Sequence, residues 1–258
     1  MHTIDCSFDT SIIGAYHSHS QIIRVLTESW LEKNMYCPRC GNYTLEHFPN
    51  NKAVADFFCT TCKNEYELKS KNGRIGTKIN DGAYDTFIER ITSNNNPDFF
   101  IMTYDKEALY VRNLWVIPKH FFVPAIVEKR KPLSANAKRS GWIGCNILMD
   151  QIPQQGKIKI IQDSLPIAKA LVTQQVQEAL LLLKKSIDAR GWLLDVLSCV
   201  NNLNTDIFTL TDIYSFEAAF RQKHPQNHNI RAKIRQQLQF LRDKGVIAFL
   251  DRGVYQKL

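Results

Sequence analysis

Two sets of residues in this chain have types and spacings suited to chemistry. Cys37, Cys40, Cys59 and Cys62 form C-x2-C-x18-C-x2-C, and Asp56, Glu67 and Lys69 form D-x10-E-x-K across the second cysteine pair. Two close pairs at this separation fit a tetrahedral Zn2+ site with four thiolate ligands. Each two-residue spacer forms a tight knuckle that aims both thiolates at one ion, and Gly41 supplies backbone freedom just after the first pair. Four sulfurs fill the shell and leave no position for water, so the zinc is expected to be structural. The other reading, four unrelated buried cysteines, fits two C-x2-C pairs among seven cysteines poorly. The odd count argues against a disulfide framework. Cys6, Cys145 and Cys199 show no partner spacing and read as small core residues.

The acids and the lysine need a scaffold. Ala53–Cys59 reads as a strand running into the second knuckle, and Glu65–Ser70 as a strand leaving it, with Tyr66 and Leu68 on one face and Glu65, Glu67 and Lys69 on the other. The knuckle is then a hairpin turn. Residues whose numbers sum to about 121–123 face each other, which puts Asp56 opposite Glu65–Glu67 with Cβ atoms about 4.5–5.5 Å apart. Glu67 and Lys69 share a face. Like charges this close repel unless a cation lies between them. Two carboxylates and a free backbone carbonyl suit Mg2+, and a neighbouring lysine can orient or help deprotonate a water for phosphodiester hydrolysis. An exposed polar strand face with a Glu–Lys pair is the plain alternative, and the spacing alone does not separate the two.

At these residues the sequence resembles the PD-(D/E)xK nuclease superfamily, and more closely the DpnI-type methyl-directed restriction endonucleases. The resemblance is carried by YCPRCGN (Tyr36–Asn42), VADFFC (Val54–Cys59), YELKSKNG (Tyr66–Gly73), INDGAY (Ile79–Tyr84), NNNP (Asn94–Pro97), RSGWIGCNI (Arg139–Ile147) and IRQQLQFLRDKGVI (Ile234–Ile247), in order over nearly the whole chain. It implies an α/β PD-(D/E)xK nuclease core with an inserted four-cysteine zinc knuckle and a C-terminal winged helix. By the same resemblance Asp56 and Glu67 hold a catalytic Mg2+, the Leu68 carbonyl adds a ligand, and Lys69 positions the attacking water. Ala55 stands where the superfamily usually has proline, which sets backbone geometry and does no chemistry. The implied activity is cleavage of double-stranded DNA at GATC carrying N6-methyladenine.

Composition agrees with such a partner. The chain has 258 residues, 44% of them hydrophobic, and a net charge of +8. That length suggests one large domain or two small ones, and a basic surface suits a polyanion. No apolar run approaches the 18 or so residues of a membrane helix. MHTIDCSFDT has neither a basic nor an apolar signal region, so the expectation is a cytoplasmic protein without membrane contact; a monomer is expected.

Ser20–Glu32 reads as an amphipathic helix with Ile22, Ile23, Leu26 and Trp30 on one side. Glu28 on it reads as solvent-facing, with one further acid near the metal as the second possibility. His17 and His19 read as loop residues. Ile79–Gly82 is expected to open a helix through Ile91, with Asn80 or Asp81 as N-cap. Asp98–Tyr104 and Leu109–Ile117 read as strands. Lys129–Arg139 carries Lys129, Arg130, Lys131, Lys138 and Arg139 and no acid; it is expected to be a loop that holds phosphates, against a plain solvated charge run. Trp142 lies between Gly141 and Gly144. It is the candidate aromatic wall for the apolar methyl group, the competing view being an ordinary core tryptophan.

Residues 1–184 are thus expected to form the catalytic domain and 185–258 a winged-helix DNA-binding domain, bridged by a helix at Val172–Leu183. In the second, Gly191–Val200 is one helix, and Thr209–Asp212 is a capping box opening another that runs to Gln222. Asn229–Lys244 is a third, with Ile230, Ile234, Leu238 and Leu241 inward. Val246–Leu250 and Val254–Leu258 flank an Asp251–Gly253 turn. The third helix is the reading helix. Arg235, Gln236 and Gln239 are candidates for base contacts, since Arg suits guanine and Gln adenine, and Arg231 and Arg252 for phosphates. A winged helix used only for packing or dimerisation is the plain reading of this module.

Three functions are open on these residues: a Mg2+-dependent DNA endonuclease, a non-catalytic zinc-stabilised winged-helix regulator, and a nuclease acting on RNA or repair structures. The acid–acid–lysine set favours the first over the second, and the breadth of the resemblance favours it over the third.

Overall fold

The computed structural model describes residues 4–14, 16, 18–49, 55–93 and 95–258. An amphipathic helix α1 (His19–Asn34) turns Ile23, Leu26, Trp30 and Leu31 into the core, and the Trp30 indole N–H donates to the Asp5 carbonyl at 2.7 Å. The chain then passes the first cysteine pair and enters β1 (Leu45–His47), β2 (Phe57–Cys59) and β3 (Glu65–Asn72). The chain continues with β4 (Lys78–Ala83), α2 (Tyr84–Thr92), β5 (Asp98–Asp105), β6 (Tyr110–Ile117), β7 (Val127–Lys129), β8 (Gly144–Leu148), β9 (Ile158–Gln162) and β10 (Leu165–Pro166).

Seven strands form one sheet in the order β1-β2-β3-β5-β6-β9-β10, and β4-β8-β7 form a separate small sheet. β5 is the centre of the large sheet. Its run Asp98–Tyr104 is buried throughout, the pattern of a strand covered on both faces. It pairs parallel with β3 and antiparallel with β6. This places the Glu67–Lys69 stretch against a rigid neighbour, with Glu67 beside Phe99 and Lys69 beside Ile101.

The hairpin register matches the expectation from its turn. Phe57 faces Tyr66 and Phe58 faces Glu65, so Asp56 is next in line with Glu67. The expected strand from Ala53 is shorter: it starts at Phe57, and residues 53 and 54 lie outside the described residues, as do His17 and Asn94.

Ile79–Gly82 differs from its expected role as a helix start. It is strand β4, paired with β8 through Ile79–Ile147, Asn80–Asn146 and Asp81–Cys145. Asn80 and Asp81 do not cap α2; Ala83 takes that position. Cross-strand pairing with a distant segment outweighed a local cap preference.

After α3 (Lys169–Leu180) the C-terminal module comprises α4 (Ile187–Asn202), β11 (Ile207–Thr209), α5 (Leu210–Tyr214), α6 (Glu217–Lys223), α7 (Ile230–Asp243), β12 (Ile247–Asp251) and β13 (Val254–Lys257). The strands form a sheet ordered β11-β13-β12, giving a winged helix. The capping box at Thr209–Asp212 is formed in both directions. The helix expected to run to Gln222 is interrupted at Ser215, whose hydroxyl donates to the Asp212 carbonyl at 2.6 Å and competes with helical bonding. Gly253 takes φ +76° at the wing tip, where a Cβ would be strained.

One apolar core runs through both parts of the chain, and polar contacts join them as well. Gln155 and Asn201 exchange amide hydrogen bonds at 3.3 and 2.9 Å, and the Lys184 ammonium lies 3.0 Å over the Phe240 ring.

Candidate active site and zinc centre

The two cysteine pairs form matching knuckles. In the first, the Cys37 N–H donates to Asn42 O at 2.7 Å and the Gly41 N–H to Cys37 O at 2.8 Å. In the second, the Cys59 N–H donates to Asn64 O at 2.9 Å and the Lys63 N–H to Cys59 O at 3.0 Å. Gly41 has φ +77° and Lys63, its counterpart, φ +59°. All four sulfurs lie within 4.8 Å of one another. Two of the separations, Cys37–Cys62 and Cys40–Cys59, are 3.6 Å. Tetrahedral zinc at roughly 2.3 Å from each sulfur needs about 3.8 Å between them, so the four thiolates fit the ion closely. Burial works against ionisation of Cys59, but the Cys62 and Thr61 amides aimed at its sulfur outweigh it and draw the thiol down to about 7. Burial raises the Cys37 and Cys62 thiols, so without an ion Cys59 is the sulfur drawn toward the thiolate form, and it is the geometry of the four that fits a metal.

On the hairpin that carries the second knuckle, Asp56 is held by backbone. Its N–H donates to Tyr66 O at 3.0 Å, and its Oδ2 accepts from the Leu68 N–H at 2.7 Å. Glu67 and Lys69 project together and meet at 2.5 Å (Oε1 to Nζ). The Glu67 carboxylate also bonds Arg90 of α2, and Lys69 Nζ reaches Asp81 Oδ1 of β4 at 2.5 Å. Burial pushes the Glu67 carboxyl above its ordinary range, with Lys69 and Arg90 pulling against it. Burial opposes the charge on Lys69, yet Glu67 and Asp81 together raise its pKa. The group is a desolvated cluster of two acids, Glu67 and Asp81, and two cations, Lys69 and Arg90; Asp56 is tied to it through the Leu68 amide.

Among the described residues the four cysteines are the one group of three or more possible ligands this tightly gathered; no trio of acids reaches that spacing. The donor set beside β3 nevertheless suits a hard divalent cation. It offers carboxylate oxygens, the hard ligands such an ion takes, although Lys69 and Arg90 already pair with Glu67 and an ion would have to displace them.

Sequence reasoning missed two members of this cluster. Asp81 reads locally as a helix cap, and nothing in the local pattern singles out Arg90; both arrive through pairings that local pattern does not encode. Glu28 was read as solvent-facing and is instead turned inward. It lies 3.5 Å from His47 Nε2, and burial, assisted by the charge of Asp56, raises its pKa. His19 opens α1 and is not in a loop.

The candidate DNA-reading residues lie on two surfaces. Between β7 and β8 the basic stretch is a loop closed at its neck, with the Leu133 N–H on Trp142 O at 3.0 Å and the Arg130 N–H on Gly144 O at 2.9 Å. Lys138 and Arg139 are exposed on it, and the Arg139 guanidinium lies 4.6 Å over the Trp142 ring. Trp142 is only partly buried and does not belong to the core. On α7, Ile230, Ile234, Leu238 and Leu241 are buried, while Arg231, Arg235, Gln236 and Gln239 are exposed on the opposite side, as is Arg252 at the wing tip. Arg235 is oriented by the Tyr214 hydroxyl at 2.8 Å and Arg231 by Glu217 at 2.7 Å.

Comparison with known families agrees with this arrangement. Residues 4–185 match the DpnI family model, described as the Dam-replacing family, and residues 188–257 match the Dam-replacing HTH domain. The chain belongs to this family, whose members are methylation-dependent restriction endonucleases with a C-terminal helix-turn-helix domain. Among the described residues no helix is long and apolar enough to cross a membrane.

Proposed function

We propose that this member of the Dam-replacing family cuts double-stranded DNA at GATC when the adenine carries an N6-methyl group, with Mg2+ as catalytic metal and Zn2+ as a structural one. The observation that carries the reading is the hairpin cluster: Asp56 bonded to the Leu68 amide, with Glu67 and Lys69 in contact beside it. A regulator that only binds DNA has no use for a partly buried acid–lysine set of this kind.

In this reading residues 1–184 cut and residues 185–258 read DNA, in a cytoplasmic monomer. The Asp56 and Glu67 carboxylates and the Leu68 carbonyl would hold the divalent ion. Bound Mg2+ supplies the Lewis acidity that makes water nucleophilic near neutral pH and offsets phosphate charge. Lys69 orients the water that attacks phosphorus. The new P–O bond forms as one P–O bond to a sugar breaks, and the leaving oxygen takes up a proton. Lys138 and Arg139 hold phosphates, and Trp142 offers the methyl group an apolar wall. Arg235 suits guanine and Gln236 and Gln239 suit adenine, a set that matches a site containing both. Arg231 and Arg252 contact the sugar–phosphate chain.

The test is digestion of one plasmid prepared with and without adenine methylation at GATC, in Mg2+ and in chelator. Cutting of the methylated plasmid in Mg2+ alone is expected. Equal cutting of unmethylated plasmid, or cutting without divalent metal, overturns the proposal.

A further inference from the structure

We infer that Asp81 is a positioning residue for the cleavage step, holding the Lys69 ammonium in place from the small β4-β8-β7 sheet. This rests on the reading above that Lys69 orients the reacting water.

A lysine is a point charge on four rotatable carbons and has no fixed direction of its own. Lys69 gains one from two carboxylates, Glu67 Oε1 and Asp81 Oδ1, each 2.5 Å from Nζ. They occupy two of its three donors and leave one N–H for a further partner. The two acids are not equivalent. Glu67 is also proposed to hold the divalent ion and is already shared with Arg90. When it turns to the metal, Asp81 is the carboxylate left to fix the ammonium.

The local structure is built for this task. The register of β4 on β8 shifts between Asp81 and Ala83, a bulge at Gly82. Bulges re-aim a side chain and recur beside active sites. The Gly82 N–H then locks Asp81 Oδ1 at 2.6 Å. The Asp81 side chain is only 5% exposed, and its Oδ2 is buried with no hydrogen-bond partner. A buried oxygen without a donor is uncommon in folded proteins and calls for an explanation; a carboxylate kept for its charge on Lys69 supplies one. The same sheet bears the loop of Arg139 and Trp142. Ala83 pairs with Gly144, and the Trp142 ring covers Gly144 so closely that a Cβ there would lie 2.7 Å from it. The lysine's anchor and the DNA-facing loop therefore belong to one hydrogen-bonded unit.

The experiment is single-turnover cleavage of methylated duplex by full-length Asp81→Asn, Lys69→Gln and the double variant, in Mg2+, with DNA affinity measured separately in Ca2+. Asp81→Asn is expected to cut about 10- to 100-fold more slowly, with affinity unchanged within about twofold. In the Lys69→Gln background the same change is expected to alter the residual rate less than about threefold, because the partner through which it acts is gone. A wild-type rate for Asp81→Asn, or an equal fold-loss in both backgrounds, overturns the inference. If Lys69→Gln is slow while Asp81→Asn is not, only the role of Asp81 falls. If Lys69→Gln itself cuts at the wild-type rate, the site assignment falls with it. Should Asp81→Asn fail to fold, Asp81→Glu keeps the charge on a longer arm. It is expected to cut at least tenfold more slowly at wild-type melting temperature, and a wild-type rate from it overturns the inference.

Discussion

Asp56 and Leu68 are joined across the hairpin that carries the second cysteine pair, the Asp56 carboxylate accepting the Leu68 N–H at 2.7 Å. The first acid of the cluster is therefore fixed by backbone, and the backbone that fixes it runs between Glu67 and Lys69. The turn that sets this geometry is closed by Cys59 and Cys62, so the zinc site and the acid–lysine cluster are parts of one piece of structure.

Removing zinc is expected to collapse both together. Structural zinc contributes roughly 10 kcal/mol or more of folding energy in small sites. A strong chelator that extracts it, followed by hydrogen exchange, is expected to show loss of protection in Cys37–His47 and Phe57–Ser70 and loss of cutting that added Mg2+ does not restore. Protection unchanged in those segments would contradict the link.

Lys63 occupies a left-handed position, φ +59°, that its counterpart Gly41 occupies without strain. A non-glycine residue there costs about 1 kcal/mol. Lys63→Gly is expected to raise the thermal midpoint by a few degrees with zinc content unchanged, and Gly41→Lys to lower it. A lower midpoint for Lys63→Gly would show that the lysine side chain has another role.

His120 is buried with Nε2 2.9 Å from the Ala179 carbonyl, and burial holds its pKa down to about 4, against an ordinary 6.5. The unfolded chain therefore takes up a proton at a higher pH than the folded one. His120 leaves stability intact above pH 6.5, and stability is lost as the pH falls from there towards 4, by up to about 3 kcal/mol. Urea midpoints measured across that window are expected to fall less steeply for His120→Phe than for the wild type. Parallel curves would contradict this.

Arg235 and Gln239 are exposed on α7 opposite its buried stripe. Each base contact of this kind is worth about 1–3 kcal/mol of discrimination. Arg235→Ala and Gln239→Ala are expected to weaken binding to a methylated GATC duplex by roughly 10- to 100-fold, with little change on unrelated DNA. Equal loss on both duplexes would assign these side chains to phosphate contact.

Much of this was legible in the sequence because it was local. The C-x2-C pairs, the hairpin register around Thr60–Thr61, the Thr209–Asp212 capping box and the apolar stripe of α7 all follow from short-range spacing. The second sheet was not legible. β4 and β8 pair residues 78–83 with 144–148, and nothing near Asp81 distinguishes a strand from a helix start. Arg90 reaches Glu67 from α2, which packs on β4 and β8, a placement that local pattern does not encode. Glu28 was misjudged for the same reason: the helical pattern of α1 shows which face is apolar, but not that His47 and Asp56 lie against its border.

In the proposed function the Asp56–Glu67–Lys69 hairpin is where DNA is cut. The most direct measurement is Asp56→Ala in full-length protein, comparing affinity for methylated duplex with the single-turnover cleavage rate in Mg2+. As a ligand of the proposed Mg2+, Asp56 would support several kcal/mol of transition-state stabilisation, or roughly a thousandfold in rate. Affinity is expected to stay within a few-fold of wild type, with cutting reduced by about that factor. Cutting at the wild-type rate would contradict the assignment.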